Sequence, residues 1–397
     1  MAATCACGGL PEFTEVSLRL NPAGFKRVLR ERRSSNETFF RSGVWRYAEL
    51  LPPIDREAIV TLSEGNMPLY DSSRGGSYAG VDTLAYLHLG MNPTGSFKDL
   101  GMTVAVSAAK AAGARGVVCA STGNTASSMA AYAARGGLEA YALVPRGRVS
   151  AAKLAQMRDY GAHVVEVDGS FDDALRQLLD NPKAAGNGDD LAVVNSTNPY
   201  RIEGQKCSAF SILEQCDWKV PDWVVVPGGN LGNSSAIGKG FREALTLGLI
   251  DRLPRIAIVQ ASGAAPLVTT WESLESASDT AASLVPVEPH TVASAIAIGN
   301  PKSWRKALRE LRASNGVAVA VDDAEILKAK FHIGSEGIGC EPASAASLAG
   351  TRVLRKRNVI ASDANVVCVL TGHVLKDIDT ILKYHDDYSK QSEHARV

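Results

Sequence analysis

From Asp82 onward the chain repeats one pattern: a short apolar run, a turn rich in Gly, Asn or Ser, then an amphipathic stretch. That alternation is the rhythm of βαβ units, in which each strand is followed by a helix that covers it. The apolar runs predict strands at about Thr83–Leu89, Gly116–Ala120, Glu139–Val144, His163–Val167, Leu191–Asn195, Trp223–Pro227, Arg255–Gln260 and Asn365–Leu370, with helices between them. Runs that are apolar throughout belong to strands buried on both faces, which means parallel sheets. Such sheets bind ligands where loops leave the carboxyl ends of the strands. Ahead of this region the chain is charged and broken up, with ERRSSNETFFRSG (31–43) reading as a loop before the aromatic VWRYAELLPP, so that it forms an arm or cap. The Gly-rich NPKAAGNGDD (181–190) reads as a surface loop, 262–289 as a connector of weak pattern, and the polar tail from Asp386 as frayed.

Length changes the picture from one unit to two, because 397 residues exceed one ordinary hydrophobic core. The expected division is an amino-terminal arm with part of a large domain (1–80), a smaller α/β domain (81–205) and a larger α/β domain (206–397). Forty-two basic residues balance forty-two acidic ones, so no long-range field favours nucleic acid or an anionic membrane, and a small molecule is the expected partner. There is no apolar run of about 18 residues and no signal-peptide pattern, which points to the cytoplasm. Seven scattered cysteines form no disulfide framework, and Cys5 with Cys7 supply too few ligands for a tetrahedral zinc, so no metal is expected.

Four strand-end loops carry candidate chemistry. In GMNPTGSFKDLGMT (90–103) a tight turn delivers Ser96, Phe97 and Lys98 to a helix start, where the dipole and backbone donors lower a lysine's pKa and make it a nucleophilic amine. STGNTASS (121–128) offers hydroxyls, an amide and backbone N–H groups that suit a carboxylate or an aromatic hydroxyl; simple N-capping explains the same residues equally well. GGNLGN (228–233) follows the apolar WVVVP, and its glycines let successive N–H groups cradle a phosphate at the next helix. It has neither the spacing of a nucleotide P-loop nor a dinucleotide fingerprint. LTGHVLKD (370–377) presents Thr371 where a ring nitrogen could be met. One lysine, one phosphate cradle and one polar loop at sheet ends together describe a site for pyridoxal 5′-phosphate, which needs an imine partner, a phosphate anchor and a group facing its ring nitrogen.

At these motifs the chain resembles the threonine synthases, which are fold-type II, tryptophan-synthase β-like pyridoxal-phosphate enzymes. The resemblance runs in order through GVWRYAELLP (43–52), EGNMPL (64–69), NPTGSFKD (92–99), STGNT (121–125), NPYRIEGQK (198–206), AIGNP (297–301), EGIGCEPASAASLAG (336–350) and LTGHVLKD. It implies two open, twisted, mostly parallel sheets flanked by helices, with the cofactor between domains. It also implies a homodimer. Lys98 would hold the cofactor as a Schiff base with Phe97 beside it, Asn124 would meet its 3-hydroxyl, Gly228, Gly229, Asn230, Leu231, Gly232 and Asn233 its phosphate, and Thr371 its ring nitrogen. The implied substrate, O-phospho-L-homoserine, would present its carboxylate to Ser121, Thr122 and Thr125 and its phosphate to Asn195, Ser196 and Arg201. The residues of NSTNPYR agree with this, since a guanidinium grips phosphate in bidentate fashion. The implied reaction converts that substrate and water to L-threonine and phosphate. Met67, Leu100 and Ala297 depart from residues common in the family, and the amino-terminal C-x-C-G-G resembles a worn remnant of its zinc knuckle. Related activities remain open: a cysteate-synthase-like reaction of O-phosphoserine with sulfite, a threonine or serine dehydratase, or non-catalytic binding of the cofactor.

Overall fold

In the computed structural model, residues 9–14, 21–121, 123–146, 151–168, 190–276 and 283–384 are described. Cys5, Cys7, Thr122, most of the 181–190 loop, part of the 262–289 connector and the tail from Asp386 lie outside them. Among the described residues, ten strands form two sheets. They are β1 Leu69–Asp71, β2 Thr83–His88, β3 Gly116–Ala120, β4 Glu139–Pro145, β5 His163–Val167, β6 Leu191–Val193, β7 Trp223–Pro227, β8 Arg255–Ala261, β9 Val317–Val321 and β10 Asn365–Leu370.

The larger sheet has the order β1-β2-β10-β7-β8-β9 and is parallel except for β1, which runs antiparallel at the edge. The smaller, β5-β4-β3-β6, is parallel throughout. All eight expected strands are present, and burial follows the apolar runs: β3 and β7 are buried along their whole length. Two strands went unread. The edge strand β1 has only three residues, and the Ala–Val alternation of β9 carries no β-branched run long enough to distinguish it from helix.

The expected domain limits need two corrections. Strand β2, assigned to the smaller domain, pairs with β10 in the larger sheet. The boundary at 205/206 also falls inside the single helix Pro199–Gln215. Both errors arise because the chain leaves the large sheet, builds the small one and returns, which a linear division cannot express.

Three helices that begin at the loops of interest pack almost backbone to backbone. A Cβ on Gly204, in the helix Pro199–Gln215, would lie 1.8 Å from the Leu100 carbonyl oxygen of the helix Lys98–Ala111. One on Gly101 would lie 2.7 Å from the Arg201 carbonyl oxygen. Between Pro199–Gln215 and Gly232–Thr246, a Cβ on Gly240 would lie 2.5 Å from the Lys206 carbonyl oxygen. The same crossing holds a buried quartet of charges: Lys206 binds Glu203 at 2.5 Å and Glu243 at 2.7 Å, and Lys239 binds Glu203. Its net charge is zero, and removing one member would leave a buried charge unpaired. Gly204→Ala forces the helices apart and is expected to destabilise the protein by about 3 kcal/mol or more, the upper range for overpacking. Denaturant unfolding that shows a midpoint equal to that of the parent would refute the close crossing.

Candidate active site

Loops from the carboxyl ends of both sheets enclose a cavity of about 150 Å³. Lys98 enters from the first turn of Lys98–Ala111, after a turn in which Gly95 takes φ +84°. That turn is fixed from below by Asp99, whose buried carboxylate accepts from Thr94 N (2.7 Å), Thr94 Oγ1 (2.6 Å) and Ser128 Oγ (2.6 Å). Phe97 lies beside the lysine, with Nζ 3.8 Å from its ring centroid, and donates its N–H to the Thr371 carbonyl. Burial draws the Lys98 ammonium down to about 7; the Arg201 charge adds to this and the Glu341 carboxylate opposes it. At neutral pH a large fraction of this lysine is therefore free amine, the form that attacks a carbonyl.

Opposite, the left-handed Leu231 (φ 64°) turns the chain into Gly232–Thr246, leaving the N–H groups of the helix start at the cavity. The amide of Asn233, only 6% exposed, has neither Nδ2 nor Oδ1 paired among the described residues. A buried unpaired amide at a helix start calls for a polar ligand, and an anion suits it. Gly228 departs from expectation: its N–H is donated to Val259 O at 2.7 Å and its Cα faces Ile258, so it does not line the cavity.

Asn124 heads the helix Asn124–Gly136, with Nδ2 donating to Glu341 at 3.1 Å and Oδ1 unpaired. Ser121 and Thr125 flank it in the cavity wall. Thr371, 4% exposed, shares a 3.0 Å hydrogen bond with Ser344 Oγ, which also accepts the N–H groups of Thr371 and Gly372 at 2.9 Å. Ser344 Oγ also lies 3.3 Å from the Gly372 carbonyl oxygen, so its proton has two acceptors, Gly372 O and Thr371 Oγ1.

At the third side, Arg201 is 2% exposed; NH1 donates to Val194 O at 3.3 Å, Nε is unpaired, and burial draws its pKa to about 10, so it remains charged at neutral pH. Ser196 lines the same wall. Asn195 lines it too, but its amide is held by Ala120, Nδ2 to O at 2.8 Å and N to Oδ1 at 3.0 Å, so its side chain stitches β3 to the loop.

Two charged lining residues were not among the candidates read from the sequence. Lys153, 8% exposed, comes from the helix Ala151–Asp159, and Glu341, 2% exposed, from the position before Pro342–Lys356. Burial pushes the Glu341 carboxyl up, while Lys153, Asn124, Lys98 and Lys376 pull it down. Glu341 stood within a motif already noticed, EPASAA; Lys153 is one lysine on an unremarked helix and only folding brings it here.

A buried amine of lowered pKa, a glycine-bounded helix start with an unpaired amide, and hydroxyl and amide groups between them fit pyridoxal phosphate. Fold and site thus define a pyridoxal-phosphate enzyme. Residues 60–372 match the family model described as pyridoxal-phosphate dependent enzyme. The chain is 44% identical to the threonine synthase of Methanocaldococcus jannaschii over 97% of this chain and 91% of that protein. It is 48% identical to that of Methanosarcina acetivorans over 85% and 81%. The fold is shared with maize serine racemase (TM-score 0.66, 20% identity, 86% of this chain and 97% of that one). It is shared also with an L-serine ammonia-lyase from Rhizomucor miehei (TM-score 0.67, 18% identity, 82% and 98%). This chain belongs to the threonine synthase family of pyridoxal-phosphate-dependent enzymes.

Proposed function

We propose that the protein converts O-phospho-L-homoserine and water to L-threonine and phosphate. The observation that carries this is one cavity with two anion-accepting ends, the helix start at 229–233 and the Arg201–Lys153 wall, on either side of an amine that is partly neutral. A cofactor phosphate would take one end; a dehydratase substrate would leave the buried Arg201 guanidinium at the other without a counter-charge.

Bound pyridoxal phosphate supplies a carbonyl that captures the lysine or the substrate amine and a ring that accepts electrons from the substrate's Cα. Lys98 would hold it, and as a neutral amine would take the proton from the substrate's Cα. Ser121, Thr125 and the start of Asn124–Gly136 hold the substrate carboxylate. Arg201, Lys153 and Ser196 hold the phosphate and balance the charge that grows on it as the Cγ–O bond breaks; the Cβ proton given up in this step is the one returned at Cγ. Water adds at Cβ, and Lys98 returns protons to the carbon skeleton before reclaiming its place. Thr371, donating its proton toward the ring nitrogen, leaves that nitrogen without a charge-stabilising partner.

A homodimer in the cytoplasm belongs to the same proposal, supported by the exposed apolar Leu375, Ile378 and Leu382, which offer a surface to a second copy. No described helix is long and apolar enough to cross a membrane. The test is phosphate release from O-phospho-L-homoserine with threonine identified by chromatography. Release from O-phosphoserine with sulfite, and none from O-phospho-L-homoserine, would overturn the assignment.

A further inference from the structure

We infer that Lys376 and Gln156 are positioning residues. Together they clamp the helix Ala151–Asp159 to the turn that delivers Lys98, and so fix where the cavity's second amine, Lys153, stands relative to the first. The inference rests on the reading of Lys153 as a partner of the substrate's phosphate.

Neither Lys376 nor Gln156 lines the cavity, yet both stand directly behind its wall. Lys376 follows β10 of the larger sheet and is 6% exposed. Gln156 lies between β4 and β5 of the smaller sheet, on a helix whose Met157 is buried in that sheet's apolar core. Lys376 Nζ donates to Gln156 Oε1. Gln156 Nε2 donates in turn to the Thr94 carbonyl at 3.3 Å and to Tyr160 Oη at 3.2 Å. Chemistry fixes the order of this chain. An ammonium only donates and a carbonyl only accepts, so the amide oxygen must face Lys376 and its nitrogen Thr94. One amide thereby joins a loop of the larger sheet, the turn before Lys98 and a helix of the smaller sheet.

The turn is held independently of that amide. Thr94 donates its N–H and its hydroxyl to Asp99, and the His373 N–H donates to Gly95 O at 2.9 Å. The stem of Lys376 passes over the same turn, where a Cβ added to Gly95 would lie 3.1 Å from Lys376 Cε. When the clamp is cut, the helix is therefore the part that moves. Lys153 stands three residues before Gln156 and shares its face of the helix, so it moves too. Burial draws the Lys376 ammonium down to about 8, with Asp99 and Glu341 opposing the fall and Lys153 adding to it. A lysine kept behind the wall and beside a second cation is explained by the amide that it holds.

The experiment is a double-mutant cycle on the holoenzyme with Lys376→Met, Gln156→Leu and the pair, and with Lys376→Arg beside them. It reads kcat and KM for O-phospho-L-homoserine, the Ki of inorganic phosphate, and the cofactor Kd from visible absorbance. Each single change is expected to raise KM and the phosphate Ki by about tenfold, the lower range for a lost hydrogen bond to a charged group, with the pair hardly worse than either alone. Lys376→Arg, which can still donate to Oε1, should recover part of the loss. The cofactor Kd should stay within about twofold of the parent, because the turn before Lys98 keeps its other bonds. Gln156→Leu leaves every charge in place and provides the second variant if Lys376→Met folds poorly. A raised KM in Lys376→Met with an unchanged KM in Gln156→Leu would assign the effect to charge alone and overturn the clamp, as would additive effects. A weakened cofactor with unchanged KM would overturn it as well, by moving the pair's role to the Lys98 turn. An unchanged KM and phosphate Ki in Lys153→Ala would remove the underlying reading of Lys153, and the inference with it.

Discussion

Lys98→Ala is expected to abolish the visible absorbance of the lysine–cofactor imine and to lower phosphate release by about 10³-fold or more, since both the covalent anchor and the proton-transferring amine are lost. Spectrum and turnover should fall together; a variant that keeps either would place the chemistry on another lysine, and Lys153 also lines the cavity. The unmodified, cofactor-free protein should also show why this lysine is suited to the task. Burial lowers it from 10.5 to about 7, so the rate of imine formation with added cofactor should rise with pH through about 7 and level off above it. A solvated lysine would keep rising toward 10.5. The same shift makes a statement about stability. Between about 7 and 10.5 the unfolded chain carries a proton that the folded chain has released, so the cofactor-free protein should gain stability as pH rises through that window.

For Arg201 the expected effect falls on the substrate. Arg201→Ala should raise KM for O-phospho-L-homoserine by roughly 30-fold or more, the consequence of removing one member of a buried, hydrogen-bonded charge pair worth at least about 2 kcal/mol. kcat should fall as well, because the group it holds is the one that departs with growing negative charge. Arg201→Lys should recover only part of this, for an ammonium lacks the planar fork that meets two phosphate oxygens at once. The imine absorbance should be unchanged in both. The guanidinium is 2% exposed and no carboxylate among the described residues pairs with it, so a bland role as a surface ion pair is already removed. Kinetic constants within twofold of the parent would leave that buried charge without a purpose.

Much of the fold can be traced to local pattern. Apolar runs such as WVVVP and GVVCA stand out because strands buried on both faces need no polar alternation, and each is punctuated by glycine, asparagine or serine where the chain must turn toward the next helix. Lys98, the glycine loop and Thr371 were recognisable for the same reason: each belongs to the loop that follows such a run, where parallel sheets place their chemistry. What escaped was either too short, like β1, or ambiguous in composition, like β9.

By itself, then, the sequence determined the strand-end loops and the identity of the reactive amine, because these depend on residues adjacent along the chain. Only the tertiary structure decided which side of each loop meets the cavity. It turned Gly228 against Ile258, committed Asn195 to Ala120, and brought Lys153 and Glu341 from separate helices to the same wall. It also decided the hydrogen-bond partners of Asn230 and Asn124, Ser196 and Glu341, which are 34 and 217 residues away in the chain.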